Sequence, residues 1–212
     1  MTATVDSTDL DTVLATLRDQ VLKGEITLDQ LRWYSTLTAE QRTALMEDEG
    51  DEEESKEIPT DILRPIASSL TLAATDGTQT IPNAGKVFTG YIHPNFRNYG
   101  ADESSGPTAE TALAVNEMVK DATFPQMFGS VCQDTDRLCL TQSQIIRFCT
   151  DHRQHLRTGG YATFFLFKSK GKFFVASVYF GDDGHLWVYV SRFEDVFVWN
   201  ADYRHRVVIP QL

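Results

Sequence analysis

A chain of 212 residues with 42% hydrophobic content is long enough to bury a sizeable core and belongs to the ordinary soluble globular class. No apolar run approaches the roughly 18 to 20 residues that span a bilayer, and the chain opens on Thr2, Val5, Asp6 and Asp9 rather than on a basic and then an apolar segment, so a cytoplasmic address is expected and no membrane partner. Three cysteines, Cys132, Cys139 and Cys149, argue against a disulfide framework, and the net charge of -11 disfavours nucleic acid as a partner of the whole chain.

The charge is unevenly spread. Residues 1–140 carry 10 Lys or Arg against 24 Asp or Glu, giving -14, whereas residues 141–212 carry 9 against 6, giving +3. Four of the five histidines also lie in the second part, so binding of single-stranded nucleic acid stays open for that part alone.

In chain order, Leu10, Val13, Leu14, Leu17, Val21 and Leu22 recur at helical spacing after a Ser7 or Thr8 cap, and Gly24 ends the pattern. Shorter helices are expected after Thr27 and after Thr38, where Gln41 completes a capping box. Residues 1–46 thus read as a helical unit. Residues 47–57, EDEGDEEESKE, contain no apolar residue and read as a disordered acidic linker, so 58–212 is the main domain.

Within that domain, alternation at Leu70 and Leu72 followed by Asp76-Gly77 predicts a strand and turn near 66–81. Asn83 is expected to cap a short helix carrying Val87, Phe88 and Tyr91 and ending at His93-Pro94. Residues 100–107 read as a loop. Leu113, Val115, Met118 and Val119 predict a helix beginning at Thr108, with one more helical turn over 124–128. Thr141 and Gln144 form a capping box that opens a helix running to about Leu156 and stopping at Gly159-Gly160.

Residues 161–212 hold 14 of the 23 aromatic side chains, in runs separated by turns. Strands are expected near 161–168, 172–180, 185–192 and 203–209 as a four-stranded antiparallel meander, with Phe165, Phe167, Phe173, Val175, Leu186, Val188 and Val190 facing the 141–156 helix. The opposite face then carries Phe164, Phe174, Phe180, Trp187 and Tyr189, either as core or as an aromatic binding platform. The expected fold is α+β.

The stretches GYIHPNF, ETALAVNEMVKDATFPQMFGS, LCLTQSQIIRFC, TFFLFK and VWNADYRHRVVIPQL resemble a family of uncharacterised proteins from candidate-phylum bacteria. The likeness spans about residues 61–212. It implies a bacterial cytosolic protein in which those residues form one unit. The family has no assigned activity, so the resemblance implies no site residue and no cofactor.

Three constellations remain. Cys149, His152 and His155, spaced by three on one helix, are candidate metal ligands; the competing and commoner reading is a core cysteine with solvated histidines, and no metal or cofactor is expected. Tyr203, Arg204, His205 and Arg206 on a strand would place two arginines on one face to grip a carboxylate or phosphate, with His205 opposite as an acid or base. Trp187 and Tyr189 are the candidate ligand-binding aromatics. No phosphate loop, serine elbow or nicotinamide fingerprint is present. The expected function is a non-enzymatic interaction or binding module whose partner is another protein. The alternative is a small hydrolase or nuclease-like enzyme using His185 or His205 with a nearby acid such as Asp183, helped by Tyr203.

Overall fold

The aromatic runs after Gly160 become strands close to where they are predicted, and they form the centre of a larger sheet than the sequence suggests. A computed structural model describes residues 62–211, together with Ala15 and Arg18, both helical and exposed. Apart from those two positions, the predicted helical unit and acidic linker lie outside the described residues. The strands are β1 (Leu63–Leu72), β2 (Tyr91–Ile92), β3 (Thr111–Met118), β4 (Ala162–Ser169), β5 (Lys172–Phe180), β6 (Leu186–Arg192) and β7 (Arg206–Pro210). The α-helices of this region are α1 (Asn95–Asn98), α2 (Phe124–Gly129) and α3 (Gln142–Asp151).

The strands form one seven-stranded mixed sheet in the order β1-β3-β7-β4-β5-β6-β2. β4 pairs in parallel with β7 and β6 in parallel with β2, and the other pairs are antiparallel. The α+β class holds, but the four-stranded meander does not. Only β4, β5 and β6 form one, because the connection from β6 to β7 is long enough to cross the sheet and seat β7 between β3 and β4. Residues 193–205 run as a strap over one face, pinned by reciprocal main-chain bonds between Ala122 and Trp199 of 3.2 and 2.9 Å.

Both faces of the central strands are covered. On one, α3 presents Ile145, Ile146, Phe148 and Cys149 to Phe165, Phe167, Phe174 and Val208. On the other, Phe124, Met127 and Phe128 of α2, with Phe193 and Trp199 of the strap, cover Phe164, Leu166, Val175 and Val207. This accounts for β3, which the apolar spacing assigns to a helix. Leu113 and Val115 serve the first core while Ala114 and Met118 serve the second, so no polar face is left to show a two-residue period.

The side-chain faces of β4 and β6 are as predicted, but those of β5 are inverted. Lys170 and Gly171, at φ 48° and 77°, make a two-residue turn that sets Ser169 against Lys172 and hence Phe167 against Phe174. Phe174 and Ala176 therefore face α3, while Phe173 and Val175 face α2. The strand bounds expected from the sequence, 161–168 and 172–180, leave three residues between them rather than two, and a one-residue change in register flips every side chain.

The predicted capping box at Thr141 closes, the one predicted at Thr38 lies outside the described residues, and a further box, not expected from the sequence, forms at Thr123. Thr141 accepts from the Gln144 N–H and Gln144 Oε1 accepts from the Thr141 N–H, and Thr123 and Gln126 do the same at the start of α2. α3 stops at Asp151 and continues only as a 3-10 turn over Arg153–His155, shorter than the helix expected to Leu156. Asn83 closes a 3-10 turn, Ile81–Asn83, instead of opening a helix, and α1 begins after His93-Pro94, where a helix had been expected to end. Pro94 at the helix start is compatible with its missing N–H. Among the described residues, no helix is long and apolar enough to cross a membrane.

Candidate functional site

The edge of the sheet at β6 and β2 brings aromatic residues together on the face that carries α2 and the strap, in the part of it where Trp187 and Tyr91 stay exposed. Tyr91 on β2 is the register partner of Trp187 on β6, and Trp187 is the partner of Tyr179 on β5, so the three share a face. Tyr189 follows two residues on, with its ring centroid 5.3 Å from that of Tyr91, 5.4 Å from His93 and 5.5 Å from Tyr179. Trp187 is 42% exposed and Tyr91 39%, among the most exposed large apolar side chains of the described residues.

Gly90 explains how Trp187 lies. A Cβ at residue 90 would come within 2.1 Å of Trp187 Cδ1 and Nε1, so the indole rests directly on the main chain there. The platform predicted from sequence is therefore split. Phe164 is fully buried beneath Phe124 and Trp199, Phe174 and Phe180 belong to the α3 side, and of the five only Trp187 and half-buried Tyr189 lie in the edge cluster.

His205 does not join this surface. It is 3% exposed and packed against the rings of Tyr161, Phe164, Trp199 and Tyr203, at centroid distances of 6.1, 5.1, 5.0 and 5.8 Å. Its Nδ1 accepts from the Ala162 N–H at 3.1 Å, which places the ring proton on Nε2. Burial pushes its pKa down to about 4, and the Arg157 charge acts in the same direction. Buried in this way, the imidazole is neutral at pH 7 and enclosed by aromatic rings.

His185 sits at the β5–β6 hairpin, with Nδ1 2.7 Å from Thr89 Oγ1. Asp183 is engaged in the same turn, its Oδ1 accepting from the His185 N–H at 3.0 Å. The strand order puts β6 three strands from β7, so His185 and His205 are separated by about 14 Å at ~4.8 Å per strand. Tyr203 lies with His205 rather than with His185. The predicted acid–base residues are thus divided between two places.

Arg204 and Arg206 do not share a strand face. Arg204 closes a 3-10 turn in the left-handed region, at φ 50° and ψ 49°, and is exposed, while the strand begins only at Arg206. Arg206 turns inward, and its Nη1 donates to the carbonyls of His155 and Leu156 at 2.8 and 3.1 Å.

The three candidate metal ligands also diverge. Cys149 is fully buried in the α3 core and burial raises its thiol pKa, His152 Nε2 bonds the Thr71 carbonyl at 2.9 Å, and the His155 ring lies 6.2 Å from that of His152. Among the described residues, no group of three or more His, Cys, Asp or Glu is placed to hold a metal ion.

The surface residues missed in the sequence are Tyr91 and Tyr179, together with His93, Arg157 and Tyr161. The sequence pattern places Tyr91 in a helix, because its two-residue strand carries too little alternation to show. Compared with family models, with curated proteins and with solved structures, the chain finds no match.

Proposed function

We propose that this is a non-enzymatic binding protein of the bacterial cytoplasm whose contact surface is the aromatic edge around Trp187 and Tyr91. The observation that carries the reading is the exposure of these two side chains, 42% and 39%, side by side as register partners on paired strands. Tryptophan and tyrosine offer large contact area at a low entropy cost, and protein interfaces concentrate their binding energy in such residues.

The partner is another protein. Residues 58–212 carry 14 Lys or Arg against 15 Asp or Glu, a balance of -1, so the domain has little electrostatic pull on a nucleic-acid backbone. Support for binding over hydrolysis comes from the separation of His185 from His205 and from the engagement of Asp183 in its own turn.

The test is affinity capture from a bacterial extract with the full chain, its Trp187→Ala and Tyr91→Ala variants, and Val196→Ala as an exposed apolar control elsewhere. Loss of the same captured proteins in the first two variants, but not in the control, is expected. Undiminished capture by Trp187→Ala would sink the idea.

A further inference from the structure

The indole of Trp187 lies on a glycine that the backbone itself does not require. A β-carbon at Gly90 would come within 2.1 Å of both Trp187 Cδ1 and Nε1 and 3.0 Å of Cε2, yet Gly90 is not among the residues of positive φ, so an alanine fits the chain conformation there. Nor is the strand free to give way. The Gly90 N–H donates to the Leu186 carbonyl at 3.0 Å and the His93 N–H to the Val188 carbonyl at 2.9 Å, while Thr89 Oγ1 lies 2.7 Å from His185 Nδ1. An added methyl group would therefore move the exposed indole and leave the main chain in place.

The rings beside the indole are fixed by one another. Tyr91, the register partner of Trp187, lies with its ring centroid 5.3 Å from Tyr189 and 6.3 Å from His93, His93 and Tyr189 are 5.4 Å apart, and the three rings are tilted by 41° to 52°. None of these side chains carries a carboxylate, an ammonium or a guanidinium. Among the ways a protein holds a peptide segment, strand addition needs a longer edge than the two residues of β2, a helix needs a row of apolar anchors, and a phosphorylated segment needs arginines. Aromatic rings with polar tips instead suit a proline-rich segment, whose polyproline II helix is preformed and leaves its carbonyls free to accept from tyrosine hydroxyls. Exposed Asp182 and Asp183 in the adjoining hairpin would favour a basic segment, the competing occupant.

We propose that this edge holds a proline-rich segment of the protein partner, with a pyrrolidine ring packed on the open side of the Trp187 indole and Gly90 as the residue that positions the indole for it. The proposal rests on the protein-binding reading of the same edge. With one side of the indole against the main chain of Gly90, the opposite side is a flat apolar surface that a flat apolar ring can cover. Little freedom is lost on either side, because proline has a fixed φ and the indole is already held in place.

Calorimetric titration of the full chain with decaproline, with a decapeptide of alternating glycine and serine and with deca-arginine tests it. Decaproline is expected to bind at least about tenfold more tightly than either of the others, and Gly90→Ala and Trp187→Ala should each weaken it by about tenfold or more. Gly90→Ala should keep the far-UV circular dichroism of the parent while shifting the fluorescence emission of Trp187, which marks a displaced indole in a folded chain. If that variant fails to fold, Trp187→Ala, at an exposed position, decides. No binding at millimolar decaproline, deca-arginine bound as tightly, or an unchanged affinity in folded Gly90→Ala would overturn the proposal. Capture of cellular proteins that is lost in Trp187→Ala while decaproline fails to bind would overturn it and leave the protein-binding reading in place, whereas capture that persists in Trp187→Ala would remove both.

Discussion

Phe167 stands directly opposite Phe174 across the β4–β5 ladder, with ring centroids 5.7 Å apart, and this single pairing decides which face of β5 enters which core. It follows from the two-residue turn at Lys170-Gly171. Gly171 has φ 77°, where a β-branched side chain is strained. Gly171→Val is therefore expected to destabilise the protein by about 1–2 kcal/mol. Inserting a glycine between Lys170 and Gly171 should cost more, because the loop would then favour another register. Urea unfolding midpoints of the two variants check both statements.

Trp187 and Trp199 should behave oppositely when truncated. The Trp199 ring lies 4.6 Å from that of Phe164, 5.4 Å from Phe124 and 5.0 Å from His205, as the clasp of the strap on the sheet. Trp199→Ala is expected to lose about 3–5 kcal/mol of stability, and Trp187→Ala less than about 1 kcal/mol. Thermal unfolding of the two variants would show equal losses if the strap were not a core element. Acrylamide should quench a fluorescence component that disappears in Trp187→Phe.

His205 makes stability depend on pH. Burial holds its pKa near 4 in the folded chain against an ordinary value of 6.5. Unfolded chains take up the proton as pH falls through 6.5, whereas the folded state refuses it until about 4. Stability from this group is therefore complete above 6.5 and drains away down to 4, by on the order of 3 kcal/mol. His155, lowered by burial, His152 and Arg206, adds in the same direction, while Asp195, raised by burial, opposes it. Unfolding free energies at pH 7.5 and 4.5 should differ by less in His205→Asn, whose amide can still accept from Ala162.

The cysteines should separate by reactivity. Cys149 is fully buried and its thiol pKa is raised by burial, and burial also pushes Cys139 up to about 12 with help from the Asp136 charge. Iodoacetamide at pH 8 should therefore leave Cys149 unmodified in the native protein and label it only after unfolding. Peptide mass spectrometry showing Cys149 alkylated at the native-state rate of Cys132 would contradict its place in the α3 core.

Much of the local structure was legible because its causes are local. The Thr141–Gln144 box predicts α3, Asp76-Gly77 predicts the turn in which Asp76 Oδ1 accepts from the Thr78 N–H at 3.0 Å, and the aromatic runs predict β4, β5 and β6. β3 was not legible, since a strand with a core on each side loses its alternation and Ala112 and Ala114 favour a helix as readily. Nor could the sequence show that Arg204 would be thrown into the left-handed region while Arg206 opened the strand and turned its guanidinium to the carbonyls of His155 and Leu156, about fifty residues earlier.

The amino-acid sequence by itself determined the α+β class, the cap of α3, the central hairpins and the aromatic residues of the exposed edge. Caps, turns and periodicity act within a few residues, so they can be read along the chain. Only the tertiary structure decided that β7 is seated between β3 and β4, that the strap buries Phe164 but leaves Trp187 open, and that Arg206 meets the carbonyls of His155 and Leu156. Those outcomes depend on which distant segments bury each other's apolar faces most completely, and no local pattern carries that information.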